Sequence, residues 1–287
     1  MKIIDAHLHF ADREGFKKTA RDISEISYTA RGLRSEFQEA GVIAGIVMTT
    51  MGLESRQPAG KSPEMRLEDG TLDNLLACIG INPVQLSKDP KAELYYIEKE
   101  LNKPYAAGIK LYPGYSPFYV SDPLYKPVYV LAKKYGVPVA IHCGDTSSPR
   151  AQLKYSHPLT VDEVAVKYPD IDFIICHMGD PWVLDTAELI SKNHNVYADM
   201  SGLIAGNAMV VHKRRHTPLF QNHFMQALVY AESYDKLLFG TDWPLVPVAP
   251  YVKFIKSLIP EEFHDDVFFN NALKVFPKLK ELLRYKD

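Results

Sequence analysis

The chain has few cysteines, no marked excess of charge and no long apolar run. Its 287 residues include three cysteines, Cys78, Cys143 and Cys176, each in an apolar segment and none in a C-x-x-C pair. This pattern predicts reduced, buried thiols in a cytoplasmic protein and argues against a cysteine-based metal site. With 33 basic and 35 acidic residues, the net charge is −2, which excludes the strongly basic balance of nucleic-acid-binding proteins. No apolar run approaches the roughly 20 residues that cross a bilayer, and no signal-peptide pattern occurs, so we expect no membrane partner.

Eight short apolar runs predict the buried strands of a parallel β-sheet. Most of them lack clean polar alternation, as is typical of strands that are covered on both faces. The intervals between them are long enough for one crossover helix each. The runs are residues 2–8, 42–49, 76–82, 106–112, 137–142, 172–177, 196–201 and 237–242.

The segments between these runs predict helices. Helical spacing or helix-start signals occur in residues 89–101, 123–135, 161–167, 181–193 and 218–233, and residues 270–285 predict an extra C-terminal helix. Thr160 and Glu163 have the spacing of a capping box that opens the third of these helices. The repeated alternation predicts an α/β protein that forms one (β/α)₈ TIM-barrel domain over residues 1–287. Two long connections, residues 51–74 and 202–222, are expected to line the mouth of a site.

Polar side chains gather at the predicted carboxyl ends of the strands. His7 and His9 end the first run and, because a strand alternates its side chains, we expect them to point to the same side. His142 and His177 end the fifth and sixth runs, and Asp242 ends the eighth. In TIM barrels these strand ends carry the active site. Burying four histidines and an aspartate is costly unless they share a partner, which predicts a divalent metal ion.

Six stretches of the chain carry a family resemblance. They occur in the expected order over nearly the whole length: residues 4–9 (IDAHLH), 108–110 (GIK), 141–145 (IHCGD), 176–182 (CHMGDPW), 195–202 (NVYADMSG) and 239–244 (FGTDWP). With them the chain resembles the amidohydrolase superfamily. More narrowly, it resembles the amidohydrolase-related family that includes aminocarboxymuconate-semialdehyde decarboxylase, resorcylate-type decarboxylases and several lactone hydrolases.

The resemblance implies a role for each residue that matches a family motif. His7, His9, His142 and Asp242 would bind one divalent ion, expected to be zinc. His177 would act as an acid or base on the activated water, and Asp242 could also accept a proton from that water. Because the family supports many reactions with one site, the resemblance does not identify the substrate.

Several further residues allow more than one interpretation. Lys110 would contact an anionic substrate group or act in catalysis, form a carbamate that bridges two metals, or pack its stem while its ammonium extends to the mouth. In the bridging case His177 becomes a metal ligand. Asp5 would either orient a ligand histidine or cap a hydrogen-bond network. Cys143 and Cys176 have the opposite parity to the adjacent histidines, which predicts that both face the helices.

The first functional hypothesis is a metal-dependent hydrolase of a small, carboxylate-bearing molecule. A metal-activated water would attack an amide, lactone or ester carbonyl, His177 would assist proton transfer, and Lys110 or the basic residues 213–216 would hold the acidic group. The second is a non-oxidative decarboxylase of an aromatic or muconate-like acid, in which His177 or Asp242 delivers the proton to carbon. The third is a metal-binding barrel without catalysis. The resemblance also implies a homo-oligomer.

Overall fold

A parallel β-barrel of eight strands lies at the centre of the computed structural model, which describes residues 1–50 and 65–284. The strands are β1 (Ile3–Leu8), β2 (Val42–Met48), β3 (Leu75–Gly80), β4 (Ala106–Leu111), β5 (Val139–Ile141), β6 (Phe173–Ile175), β7 (Val196–Asp199) and β8 (Leu237–Leu238). They pair in sequence order from β1 to β8. The amide of Ala6 donates to the carbonyl of Phe239 (2.8 Å), and the amide of Asp242 donates to the carbonyl of His7 (2.8 Å). These bonds join β1 to the segment after β8 and confirm the predicted TIM barrel.

Helices follow the strands around the outside of the barrel. Their bounds are Glu14–Thr19, Ala30–Ala40, Pro83–Lys88, Pro90–Leu101, Lys126–Tyr135, Leu153–Ser156, Thr160–Lys167, Val183–Lys192, Ala208–Arg215, Pro218–Ala231, Val248–Lys256, Asn271–Val275 and Lys278–Arg284. Short 3₁₀ turns cover Pro123–Tyr125, Cys176–Gly179, Tyr234–Lys236 and Glu261–Phe263, and π-helical turns cover Ala20–Ser24 and Asp266–Asn270. Phe10–Ala11 and Met65–Arg66 form a separate two-stranded pair.

The predicted helices are confirmed, whereas three details of the helix predictions are wrong. The capping box does not form, because Thr160 already lies inside its helix and its hydroxyl donates to the carbonyl of His157 (2.8 Å). The connection over residues 202–222 is not a plain loop but contains the helix Ala208–Arg215, whose start is capped by the side chain of Asn207. The C-terminal helix is interrupted between Val275 and Lys278. Of the other long connection, residues 51–64 lie outside the described residues.

Two apolar layers separate the inside of the barrel from its outside. Ile4, Ala44 and Ile174 belong to an inner cluster, whereas their strand neighbours Ile3 and Phe173 pack with the surrounding helices. The inner cluster also contains the C-terminal residues Ala272, Val275, Phe276 and Leu279. These residues pack near the beginning of β8, where Asn271 donates to the carbonyl of Leu237 (2.9 Å). The C-terminal segment therefore covers the amino-terminal end of the barrel and leaves the opposite end for a site.

The three cysteines are free and buried, as predicted. Cys143 packs in the outer layer, which confirms that it faces the helices. Cys176 does not face the helices, because it belongs to the inner cluster and its Sγ lies 2.7 Å from Lys110 Nζ. The prediction assumed regular strand alternation through His177. In fact alternation holds as far as Cys176, which lies on the inner side like Ile174, and the left-handed turn at His177 then brings that ring into the site as well.

Candidate active site

The predicted site residues lie together at the carboxyl end of the barrel, mostly just beyond the strands. His7 is within β1, and His142 follows β5 directly. His177 and Asp242 occupy left-handed turns after β6 and β8, with φ values of 61° and 57°. A non-glycine residue in this conformation costs roughly 1–2 kcal/mol, and such strain is concentrated at functional sites. The predicted sixth and eighth strands are therefore shorter in the structure, because turns replace their last residues.

Imidazoles surround the carboxylate of Asp242. Its Oδ1 lies 3.1 Å from His9 Nε2 and 3.5 Å from His7 Nε2. The ring centroid of His177 is 4.8 Å from that of His7, and the ring centroid of His142 is 5.0 Å from that of His177. Donor atoms of His7, His177 and Asp242 all lie within 4.8 Å of one another. The closest cluster of donor atoms thus consists of His7, His177 and Asp242, whereas His9 and His142 lie outside this cluster.

Backbone carbonyls fix the orientation of the two outer imidazoles. His9 Nδ1 is 2.9 Å from the carbonyl oxygen of Met48, and His142 Nε2 is 3.0 Å from that of Asp145. Because a carbonyl only accepts hydrogen bonds, we assign the proton to the nitrogen that faces it. The other nitrogen, Nε2 of His9 or Nδ1 of His142, then offers a lone pair. A hydrogen bond of this kind commonly orients a metal-binding histidine.

Asp199 orients His7, and the sequence interpretation assigned it no role. It lies at the end of β7, fully buried, and its Oδ2 is 2.8 Å from His7 Nδ1. Asp199 belongs to the stretch 195–202 that carries the resemblance and follows the same strand-end rule as Asp242. Its place at a strand end was therefore the signal from which a functional role for Asp199 could have been predicted. Asp5 takes the network role instead, because its carboxylate accepts from the hydroxyl of Thr241 (2.6 Å) and from the amide of His7 (3.2 Å).

Two buried atoms at the centre of the site lack a hydrogen-bond partner among the described residues: His7 Nε2 and Asp242 Oδ1. Leaving a buried polar atom without a partner costs about 1–3 kcal/mol, and more for a charged group. His7 Nδ1 faces the carboxylate of Asp199 and therefore carries the ring proton. His7 Nε2 and Asp242 Oδ1 are then both acceptors, so they cannot satisfy each other. A divalent cation between them would satisfy both. The donor set therefore fits a metal ion.

The electrostatics of the site favour the protonation states that bind metals. Burial lowers the pKa of His7 to about 4 and holds the pKa of His142 well below its ordinary value, so both imidazoles are neutral at neutral pH. Burial alone would raise the pKa of Asp242, but the neighbouring His9, His7 and His177 keep it below the usual range. Neutral imidazoles and an ionised carboxylate are the ligand forms that metal binding requires.

Lys110 lies near the carboxyl end of β4 and is entirely buried. Its ammonium donates to Cys176 Sγ (2.7 Å) and lies 5.2 Å from the ring centroid of Tyr112. The interpretation in which the ammonium extends to the mouth is therefore wrong. Burial by itself lowers the pKa of Lys110, but Cys176 and the carboxylates of Asp199 and Asp242 raise it above its ordinary value.

The basic residues of the predicted loop end a helix. Residues 213–215 form the last turn of Ala208–Arg215, where positive charge is favourable next to the carboxyl end of the helix dipole. Lys213 and Arg214 are exposed, and the guanidinium of Arg214 lies 5.0 Å from the ring centroid of Phe220. Their placement agrees with a solvated helix face.

Gly202 gives a direct test of the site geometry. A Cβ at this position would lie 2.7 Å from His177 Nδ1 and 3.1 Å from Asp242 Oδ2, and its φ is +66°. We expect Gly202→Ala to destabilise the fold by roughly 1–2 kcal/mol through its left-handed backbone. We also expect it to lower kcat/KM by about 10²-fold, because displacing reacting groups by an ångström has effects of this size.

Gly136→Ala is the matched control for this variant. Gly136 also has a positive φ, +58°, but a Cβ there would meet nothing within 4 Å. Denaturant unfolding should show a loss of stability in both variants, larger in Gly202→Ala because its Cβ also displaces His177, whereas only Gly202→Ala should lose activity. Equal activity in the two variants would show that the space at Gly202 is not required by the site.

A family comparison identifies the class of protein. The family model described as amidohydrolase matches residues 77–278, more than half of the chain. The chain therefore belongs to the amidohydrolase family, whose members are metal-dependent enzymes. Comparison with curated proteins gives no match. Among the described residues, no helix is both long enough and apolar enough to span a bilayer.

Solved structures share the fold. An uncharacterised TIM-barrel protein of Bordetella bronchiseptica is 19% identical, with a TM-score of 0.71, over 98% of this chain and 100% of that one. A dihydroxybenzoic acid decarboxylase of Polaromonas sp. JS666, with bound manganese and the inhibitor 2-nitroresorcinol, is 15% identical, with a TM-score of 0.62, over 96% and 97%. A putative 2-pyrone-4,6-dicarboxylic acid hydrolase of Pseudomonas putida is 15% identical, with a TM-score of 0.58, over 96% and 98%. At these identities the likeness supports the barrel fold, and the two named activities belong to different reaction classes.

Proposed function

We propose that this amidohydrolase is a metal-dependent hydrolase of a lactone, ester or amide in a small, carboxylate-bearing molecule. The observation that carries the proposal is the pair of buried acceptors His7 Nε2 and Asp242 Oδ1, which have no hydrogen-bond partner among the described residues and which lie with a donor atom of His177 in one cluster. His7, His9, His142 and Asp242 would hold one divalent ion. When bound, this ion would supply Lewis-acid activation of water or of a substrate oxygen. We keep zinc as the expected metal, although nitrogen and oxygen ligands also suit manganese, which is bound in the Polaromonas decarboxylase.

His177 is the proposed acid and base of the reaction. Its Nδ1 is held by Ser201, 2.9 Å from the hydroxyl and 3.2 Å from the carbonyl, so Nε2 is left for the site. Burial lowers the pKa of His177, which keeps it neutral and able to accept a proton. It would then return that proton to the leaving group. Asp242 is the second proposed proton acceptor.

Lys110 is proposed to act as a buried positive charge near the site. Its nitrogen lies 2.7 Å from Cys176 Sγ, and Cys176 with the carboxylates of Asp199 and Asp242 raises the pKa of Lys110, which favours the ammonium form in the metal-free protein. This supports a centre with one metal and an unmodified Lys110. Positive charge at this depth would favour a substrate carboxylate or a developing oxyanion.

The second candidate function is non-oxidative decarboxylation, and the aromatic walls of the site favour it. Phe16 stacks on His9 with ring centroids 4.7 Å apart, and the ring centroid of Tyr115 lies 4.9 Å from that of His142. Such walls suit a planar ring acid. In that reaction His177 or Asp242 would deliver the proton that replaces the carboxylate on carbon.

The test is a product assay on the purified, metal-loaded protein. Candidate substrates are lactones and esters of dicarboxylic acids together with hydroxylated aromatic acids, incubated in ¹⁸O-labelled water. Hydrolysis gives a cleaved or ring-opened product that contains one labelled oxygen. Release of carbon dioxide without such a product would overturn the hydrolase proposal in favour of the decarboxylase. Activity that persists in metal-poor His9→Ala would overturn both.

Metal addition should stabilise the chelator-treated protein. At a free metal concentration of about 100 times Kd, binding adds about 2.7 kcal/mol to the free energy of unfolding. For a domain of this size we expect Tm to rise by roughly 5 °C. His9→Ala should fold but show a much smaller shift, because it lacks one ligand. A wild-type Tm that does not respond to zinc or manganese would contradict the proposed site.

The single-domain organisation of residues 1–287, the cytoplasmic location and the homo-oligomer stay predictions from the sequence.

A further inference from the structure

One buried carboxylate connects a proposed metal ligand with the proposed acid and base. The Oδ2 atom of Asp199 lies 2.8 Å from His7 Nδ1. Its Oδ1 accepts from the backbone amides of His177 (2.9 Å) and Ser201 (3.1 Å) and from the hydroxyl of Ser201 (2.5 Å). Asp199 is fully buried, so water does not replace any of these partners. Oδ2 thus faces the ring of His7, whereas Oδ1 binds the backbone amide of His177 and the Ser201 hydroxyl that contacts the His177 ring.

The hydroxyl of Ser201 transmits the effect of Asp199 to His177. A serine hydroxyl has one proton, and Ser201 gives it to the carboxylate of Asp199. Its contact with His177 Nδ1, at 2.9 Å, is then possible only if that nitrogen carries a proton and donates it, and the Ser201 carbonyl oxygen, 3.2 Å from the same nitrogen, favours the same tautomer. His7 Nδ1 must likewise be protonated to face the carboxylate. Asp199 also holds the amide of His177 in its left-handed turn.

We propose that Asp199 is a positioning residue that fixes both His7 and His177 in the tautomer with a protonated Nδ1. The Nε2 lone pairs of both rings are then free, His7 Nε2 lies 3.5 Å from Asp242 Oδ1, and a ring nitrogen of His177 lies within 4.8 Å of donor atoms of His7 and Asp242. A single carboxylate thereby prepares one ring to bind the metal and the other to take a proton. The catalytic consequence rests on the proposed function, whereas the tautomers are a property of the folded chain alone.

Asparagine cannot replace this carboxylate, although it has the same shape. If its NH₂ group faces His7, the ring must accept at Nδ1 and carry its proton on Nε2, where it would point at the metal position. If its NH₂ group faces the other way, it meets the amides of His177 and Ser201, which are also donors. Either arrangement loses one of the two functions. A carboxylate that accepts from a histidine Nδ1 holds the tautomer for the same reason in hydrolytic triads.

The experiment is nitrogen NMR of the ¹⁵N-histidine-labelled, metal-free full chain at neutral pH. Long-range proton–nitrogen spectra distinguish a protonated ring nitrogen from an unprotonated one, and signals missing in His7→Asn and His177→Asn assign the two residues. We expect both rings of the wild-type protein to be unprotonated at Nε2. In Asp199→Asn at least one ring should change tautomer. Asp5→Asn is the matched control, since Asp5 is equally buried but bonds to the amide of His7 and to Thr241 rather than to a ring, and both tautomers should persist.

Metal affinity gives the second measurement. Loss of a partner that orients a ligand typically weakens metal binding about 10–100-fold, and we expect a weakening of this size for Co²⁺ in Asp199→Asn. Ser201→Ala should leave Co²⁺ affinity near that of the wild type, because the contact between Asp199 and His7 remains. Unchanged tautomers and affinity in Asp199→Asn would overturn the inference. A wild-type His7 or His177 ring that carries its proton on Nε2 would also overturn the inference. This result needs no variant, so it tests the inference even if Asp199→Asn does not fold. Failure of the substrate assay with the expected tautomers present would overturn the proposed function alone.

Discussion

Asp242→Asn is expected to lose nearly all activity, with kcat/KM lower by about 10⁴-fold. This is the upper end of the range for a group that transfers protons, and the variant also loses a charged metal ligand. The carboxylate lies 3.1 Å from His9 Nε2 and 3.5 Å from His7 Nε2, so its replacement removes the negative charge on which these imidazoles converge. Elemental analysis after dialysis against a weak chelator should show a metal content well below that of the wild type.

The control for this variant is Asp172→Asn. Asp172 precedes β6, at the other end of the barrel from Asp242, and is partly exposed. The same change of aspartate to asparagine should there leave both the metal content and kcat/KM close to wild-type values. A metal-replete, active Asp242→Asn protein would remove the carboxylate from the proposed ligand set.

His177→Asn is expected to keep its metal and to lower kcat by about 10²–10⁴-fold, the range for one general acid or base. The reason is that His177 has its Nδ1 committed to Ser201 and only Nε2 available to the site. His194→Asn, an exposed histidine that bonds to the carbonyl of Pro169, should leave kcat unchanged.

The outcome for the metal distinguishes two roles for His177. Its donor atom lies within 4.8 Å of donor atoms of His7 and Asp242, close enough for it to be a ligand. If His177→Asn loses metal as completely as Asp242→Asn does, then His177 is a ligand rather than an acid or base. Full activity in His177→Asn would exclude both roles.

The barrel and the general location of the site were predictable because their signals are local. Runs of apolar residues separated by helical spacing identify buried parallel strands, and the rule that TIM-barrel sites lie at the carboxyl ends of strands then locates His7, His142 and Asp242. The errors also had local causes. Cys176 was predicted to face the helices because His177 was assumed to point inward by regular alternation. In fact Cys176 lies on the inner side with Ile174, and a left-handed turn at His177 brings that ring inward as well.

The contacts that orient the site were not predictable, because they join residues distant in the chain. Asp199 and His7 are separated by 192 positions, and no spacing rule relates them. The burial of the Lys110 ammonium against Cys176 likewise depends on how β4 and β6 meet inside the barrel. A sequence pattern shows that a lysine is near a strand end, but not what its ammonium touches.

By itself, the sequence determined the order of strands and helices, the closed barrel and the set of imidazoles and carboxylates available to a metal. The reason is that periodicity and strand ends depend on residues that are close together in the chain. Only the tertiary structure decided which nitrogen of each ring is free, which residue orients it and that two central acceptors have no partner among the described residues. These properties depend on distances of about 3 Å between hydrogen-bonding atoms, and such distances arise only after distant strands have packed together.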